Sequence, residues 1–378
     1  MWNYYYLKRI DFRVIPLILA LMCISVLVIS SNTTSSYLEA SSETFFTPAV
    51  IKQCKFFGVG WVVFLFFASI DYNKLRDWAW ILYTIALIAL IGLFFTPAIK
   101  DVHRWYKLPF TDFSIQPSDL SKLIVIITLS WFLEKHRSNI YQVSTTLIAG
   151  LIIFIPFLLI LKQPDLGTAL IFYPVTLAMF YFGEANRTIL RILNLIAVVG
   201  LSLILLIFLD IVPYETIKPY ATLVLKEYQF KRLNPHTYHQ QHAVIAIAIG
   251  GITGSGWNKG EYTARGWLPE PYTDSVFPAF GEEFGLLGLS FLLALFYTLI
   301  YCSFQVIAAT PDYFARLVAA GITVYLATHI IVNIGMMSGL LPITGFPLIL
   351  ISYGGSSVVS TMAALGVLQS IYSRRFMF

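Results

Sequence analysis

The sequence predicts an all-α polytopic membrane protein with about ten transmembrane helices and a large extracytoplasmic loop between spans 7 and 8. Three observations carry that prediction. Only 12% of the 378 residues are charged and 58% are hydrophobic, whereas a soluble domain carries roughly 25% charged residues. The apolar residues come in continuous runs, not in the alternation of a membrane barrel, and an α-helix pairs its own backbone groups in lipid. The chain is also 16% aromatic with 8 Trp, rings that favour the membrane interface.

A span needs about 20 apolar residues. Such runs fall at roughly 14–30, 50–70, 78–98, 119–133, 145–161, 166–183, 189–212, 279–308, 314–337 and 345–371. The first follows Lys8, Arg9 and Arg13 and has no small-residue cleavage site, so it reads as a span and not as a removable leader. Short segments on the N-terminal side of the membrane hold more Lys and Arg than those on the other side, which predicts that both termini are cytoplasmic.

The outer side holds the loop 99–118, a tight KQPD turn at 162–165 and the long segment 213–278. A structureless loop of that last length is uncommon. Within it, Ile217, Tyr220, Leu223, Val224 and Tyr228 fall at helical spacing and predict an interfacial helix over 216–232. The stretch 243–252 (AVIAIAIGGI) is too short to cross. It predicts a re-entrant segment that turns back at Gly250-Gly251. With no repeat, low-complexity tract or soluble domain, the chain reads as a single transmembrane domain over 1–378.

The net charge of +5 is spread along the chain, which fits membrane orientation and excludes a nucleic-acid partner. Cys23, Cys54 and Cys302 show no spacing pattern, so neither a disulfide framework nor a zinc site is expected.

The span centres carry no Asp, Glu, Lys or Arg; only His329, Asn333 and the SYGGSS run at 352–357 are polar at depth. Both signs of charge collect at the outer boundary instead. One group is Arg104 with Asp119 and Lys122, the last two sharing a helix face at spacing three. A second is Gln163 and Asp165 in the KQPD turn, and a third is Glu270, Asp274, Glu282 and Glu283. Each group alone reads equally as an ordinary helix cap; three on one face of the membrane point to a shared cavity. His236, His239 and His242 stand three apart, but no Cys or firm carboxylate partner completes a metal site.

Several motifs carry a resemblance: RW at 104–105, QPSDLSK at 116–122, KQPDLGTAL at 162–170, LPEPYTDSVFPAFGEEFGLLG at 268–288 and SYGGSS at 352–357. Together they cover nearly the whole chain, which resembles the SEDS family (shape, elongation, division and sporulation), the RodA/FtsW/SpoVE proteins of bacterial wall synthesis. QPDLGTAL, LNP at 233–235 and GW at 256–257 are closer to the RodA branch. The resemblance implies a ten-span peptidoglycan glycosyltransferase of the bacterial inner membrane. It would polymerise lipid II into glycan strands on the outer face during cell elongation, beside a class B penicillin-binding protein. The key Asp of the family's TD motif falls on Asp274, its QPSE acid on Asp119, and the following Lys on Lys122. The usual Glu is Asp119 here, the His before TD is Tyr272, and Gln-Ser before the glycine segment is His242-Ala243.

On that reading Asp274 is the general base, kept ionised by a helix N-terminus and nearby cations. Lys122 and Arg104 face the lipid diphosphate, and Asp119 orients Lys122. Glu270, Gln163 and Asp165 shape the cavity, and His242 stands at the acceptor side. A divalent cation such as Mg²⁺ is compatible with the chemistry, but the sequence supplies no ligand set for it. Two other readings stay open. A lipid II flippase needs a polar route through both leaflets; a non-catalytic scaffold would only hold a transpeptidase in the membrane.

Overall fold

The computed structural model describes residues 8–34, 45–96, 104–107, 114–209, 211–221, 230 and 232–375. Its membrane helices are α1 (Val14–Thr34) and α2 (Pro48–Ser69), then, after the short α3 (Tyr72–Asp77), α4 (Ala79–Gly92). They continue with α5 (Pro117–Lys135), α6 (Val143–Lys162), α7 (Leu166–Phe182) and α8 (Arg187–Phe208). The segment after α8 holds α9 (Tyr214–Ala221), α10 (Tyr238–Gly250) and α11 (Glu261–Ala264), and α12 (Val276–Ala309), α13 (Tyr313–Met337) and α14 (Gly355–Arg374) follow. A two-residue hairpin pairs β1 (Tyr106–Lys107) with β2 (Ser114–Ile115).

Local sequence sets the helix starts. Thr47 accepts a hydrogen bond from the Val50 amide, with Pro48 at the first helical position. Asp165, Asn186 and Asp312 cap α7, α8 and α13 in the same way.

Helices cover the expected spans over most of their length, except at the start of the last. Six are long and apolar enough to cross a bilayer: α1, α2, α6, α8, α12 and α13. The region of α4 and α7 are shorter apolar helices. The less apolar α5 and α14 are buried along most of their length, with Ser121, Thr128 and Ser130 on one and Ser360, Thr361 and Ser370 on the other turned into protein. Helices shielded from lipid tolerate such residues, and small side chains let backbones approach. A Cβ on Gly366 of α14 would stand 2.6 Å from the Phe64 carbonyl oxygen of α2.

The span expected over 345–371 needs correction. It is helical only from Gly355; residues 342–348 have no regular structure, and turns and bends follow to 353. Pro342, Gly345 (φ +77°) and Pro347 interrupt a stretch that reads as hydrocarbon-compatible by composition.

The interfacial helix expected over 216–232 begins as α9, and residues 222–229 and 231 lie outside the described residues. The expected turn-back at 243–252 is the second half of α10, which ends at Gly250-Gly251. Here a close approach demands glycine: a Cβ on Gly250 would come 2.0 Å from the Gly281 carbonyl oxygen. The carbonyls of Gly251 and Ile252 accept from the amides of Leu286 and Leu287, just where α12 is broken at Gly285.

Both ends of the described chain meet at one end of the bundle. The Asp11 amide donates to Gln369 (2.8 Å). Arg374 donates to the Ser69 carbonyl at 2.9 Å, and Arg76 pairs with Glu134 (3.1 Å) and Asp312 (3.0 Å). The N-termini of α5, α7, α12 and α14 point to the opposite end.

Candidate active site

At that opposite end lies a cavity of about 640 Å³. Its walls bring together Arg104, Asp119, Lys122, Asp165 and Asp274, which stand far apart in the sequence. Arg232, Thr237, His239 and His329, together with the loop 343–347, complete it.

The basic wall begins at the first turns of α5. The Lys122 ammonium donates to Asp119 Oδ1 at 2.8 Å and lies 3.3 Å from His329 Nε2. Lys122 and Asp119 are 2% and 7% exposed, so the pair is desolvated and each charge depends on the other. Arg104, placed by the β1–β2 hairpin, donates to the carbonyls of Gln163 (3.0 Å) and Pro164. These close the end of α6, and the guanidinium keeps further donors for the cavity. Asp165 does cap α7: Oδ1 accepts from the Thr168 amide (3.2 Å), and Oδ2 accepts from the Thr168 hydroxyl (2.9 Å) and from Gln116 (2.9 Å). Asp165 is thus a helix cap that also lines the cavity.

Asp274 is positioned through its backbone. Three consecutive carbonyls, of Tyr272, Thr273 and Asp274, accept from the Tyr353 amide (2.8 Å), the Ser352 hydroxyl (2.6 Å) and Asn333 Nδ2 (3.1 Å). The SY of SYGGSS is thus an anchor for the carboxylate segment. Gly345 lets the loop pass close: a Cβ there would stand 3.4 Å from Asp274 Oδ2.

The electrostatics differ from expectation. Burial, with the Glu270 charge adding to it, pushes the Asp274 carboxyl up to about 6, and Arg232 opposes the rise. Desolvation outweighs the helix N-terminus and the cations here, and the group is still ionised at neutral pH. His239 donates to or accepts from Ser275 Oγ at 2.6 Å, and burial lowers its basicity, so the ring is neutral.

Other predicted residues stand outside the walls. Gln163 is buried and donates to the Leu90 carbonyl (2.9 Å), supporting Arg104 through its own carbonyl. Glu270 is exposed; its carbonyl accepts from the amides of Thr273 (3.2 Å) and Ser275 (3.1 Å), and its charge acts on Asp274 between them. His242 turns away and bonds the Tyr262 hydroxyl. Glu282, grouped with Asp274 by sequence, accepts from the amides of Tyr262 (2.8 Å) and Thr263 (3.0 Å) and so fixes α11. Sequence reasoning missed Arg232, Thr237 and His239; the only pointers were the adjacent LNP and the helical spacing of the histidines.

Among the described residues no three His, Cys, Asp or Glu converge as metal ligands. Asp119 is turned to Lys122 and Asp165 to its cap, so the chemistry derived below uses side chains alone.

Comparisons with known proteins identify the family and the fold. The FtsW/RodA/SpoVE model, described as cell cycle protein, matches residues 12–375. Peptidoglycan glycosyltransferase MrdB of Escherichia coli K12 is 33% identical over 332 residues, 84% of each chain. Stage V sporulation protein E of Bacillus subtilis is 31% identical over 334 residues, covering 85% of this chain and 87% of that one. Among solved structures, a chain of a peptidoglycan synthase complex that coordinates polymerization and crosslinking superposes with TM-score 0.76 at 24% identity, covering 98% of this chain and 99% of its own. Thermus thermophilus RodA gives 0.69 at 23%, covering 97% and 98%, so the fold is shared. Sequence, fold and motif placement together make this chain a member of the FtsW/RodA/SpoVE family.

Proposed function

We propose that the protein is a RodA-like peptidoglycan glycosyltransferase. It joins lipid II into glycan strands at the outer face of the bacterial inner membrane, beside a class B penicillin-binding protein. The observation that supports this reading most is one cavity that sets the Asp274 carboxylate among Lys122, Arg104 and Arg232, at the end of the bundle away from both termini.

In the reaction the 4-hydroxyl of the acceptor sugar attacks the anomeric carbon of the donor. The new C–O bond forms as the bond from that carbon to the lipid diphosphate breaks. The hydroxyl proton passes to Asp274, a base matched to neutral pH by its raised pKa. The departing diphosphate gains charge, which Lys122 and Arg104 offset. Lipid tails require a sideways entrance from the outer leaflet.

A flippase would need the polar path to continue toward the other end. Beyond the Lys122–His329 pair the interior closes instead: Ile126 and Met179 pack on Gly321, with Ile322 fully buried. A scaffold would not need a desolvated carboxyl sharing a cavity with a buried ammonium.

The test is polymerisation of lipid II by the purified protein with its penicillin-binding partner. Asp274→Asn is expected to lower the rate by at least about 100-fold. Activity near that of the unaltered protein removes the base assignment.

A further inference from the structure

His329 has no role in the mechanism above, yet it touches the groups that matter. It is 2% exposed on α13 and lines the cavity. Its Nε2 lies 3.3 Å from the Lys122 ammonium. An ammonium has only donors, so Nε2 must accept, and the ring is neutral with its proton on Nδ1. That Nδ1 faces the Pro347 carbonyl at 3.5 Å. Tyr325 and Phe346 meet the ring edge-on at 5.0 and 5.1 Å and fix its plane.

One turn further along α13 is Asn333. Its amide donates to the carbonyls of Asp274 (3.1 Å) and Phe346 (2.5 Å). Residues four apart share a helix face, separated by about 6 Å along the axis. A single face of α13 therefore holds the cation through one side chain and the base segment through the next. Both side chains also face the loop 343–347, at adjacent carbonyls.

We propose that His329 is a positioning residue. It holds Lys122 so that, with Asp119 taking a second N–H, the remaining donor is aimed into the cavity. Together with Asn333 it sets the separation of the ammonium and the Asp274 carboxylate on one rigid helix. Lys122 is faced by Asp119 on its own helix, by Tyr325 and His329 from α13, and by Asp165 across the cavity. Tyr325 and His329 both join the ammonium to the helix that also holds the Asp274 segment, Tyr325 through its ring face and His329 through a ring nitrogen that accepts an N–H. The inference rests on the glycosyltransferase reading, since it names the geometry that reading requires.

The experiment measures lipid II polymerisation kinetics by the full chain with its penicillin-binding partner. The variants are His329→Gln, which keeps an acceptor, and His329→Leu, which fills the space without one. Both are repeated in a Lys122→Met background. The expected result for His329→Leu is a kcat lowered roughly 10- to 100-fold, as for a small misplacement of a catalytic group, with KM changed less than about 3-fold. His329→Gln should recover most of the rate. In the Lys122→Met background neither change should lower the rate further, because His329 acts through Lys122. Equal loss in both variants, or a further loss of similar size without Lys122, overturns the proposal. So does full activity of His329→Leu. The glycosyltransferase reading fails separately, through an unaltered protein that does not polymerise or an active Asp274→Asn.

Discussion

The hydroxyl of Ser352 donates to the carbonyl of Thr273, 79 residues earlier, at 2.6 Å. The same oxygen accepts from the Leu348 amide at 2.7 Å. One small side chain thus ties the irregular stretch before α14 to the segment that carries Asp274. Ser352→Ala leaves a buried carbonyl and a buried amide without a partner, a loss of about 1–3 kcal/mol. A lower unfolding temperature in detergent and a reduced polymerisation rate are expected together. Unchanged values for both would mean that the tie does not hold the segment.

The Asp274 carboxyl is held at about 6 by burial and by Glu270. As the proposed base, Asp274 works only when ionised, so the rate should fall as pH drops through about 6, not through the ordinary carboxylate range. The sign for folding is opposite to that of a salt-bridged acid. The charged form is disfavoured in the folded chain, so a penalty is absent below the ordinary carboxylate pKa and complete above about 6. Asp274→Asn should therefore raise thermal stability at pH 7.5 and change it little at pH 4, while abolishing activity. Glu270→Gln removes the neighbouring like charge and should move the acid limb of the rate profile to lower pH. A limb that stays in place would show that burial alone sets it.

Lys122 and Asp119 form a desolvated pair at 2.8 Å. Lys122→Met alone leaves the Asp119 charge buried and unmatched, which typically costs about 3–5 kcal/mol. Adding Asp119→Asn should restore most of the folding stability but leave polymerisation at the residual rate of Lys122→Met. Thermal unfolding and polymerisation measured on the single and double variants separate the two effects. A double variant that polymerises at the rate of the unaltered protein would exclude Lys122 from the reaction.

Much of the helical architecture was readable from apolar run length, because lipid imposes a minimum span and helical pairing on any chain that crosses it. The stretch 345–354 was not, since apolarity says only that a segment avoids water. Pro347 and Gly345 marked the break, but a continuous run outweighed them. The site was legible where polar motifs faced one end of the bundle, as with Asp274, Lys122 and Arg104. It was not legible where a helix had to choose between two similar faces. His239 and His242 are three apart and differ by about 60° around α10; packing, not sequence spacing, sends the first to Ser275 and the second to Tyr262. His329 and Asn333 stood out as polar at depth, but their partners come from other helices, at sequence separations of 207 and 59.

The strand of chain carrying Asp274 has no ladder of its own. Its carbonyls are satisfied by Tyr353, Ser352 and Asn333, and Gln53 of α2 braces the Gly354 amide behind them at 3.3 Å. Those supports arrive from α2, α13 and the approach to α14, so segments as far apart in the chain as Gln53 and Tyr353 must dock before the Asp274 carboxyl has a fixed place.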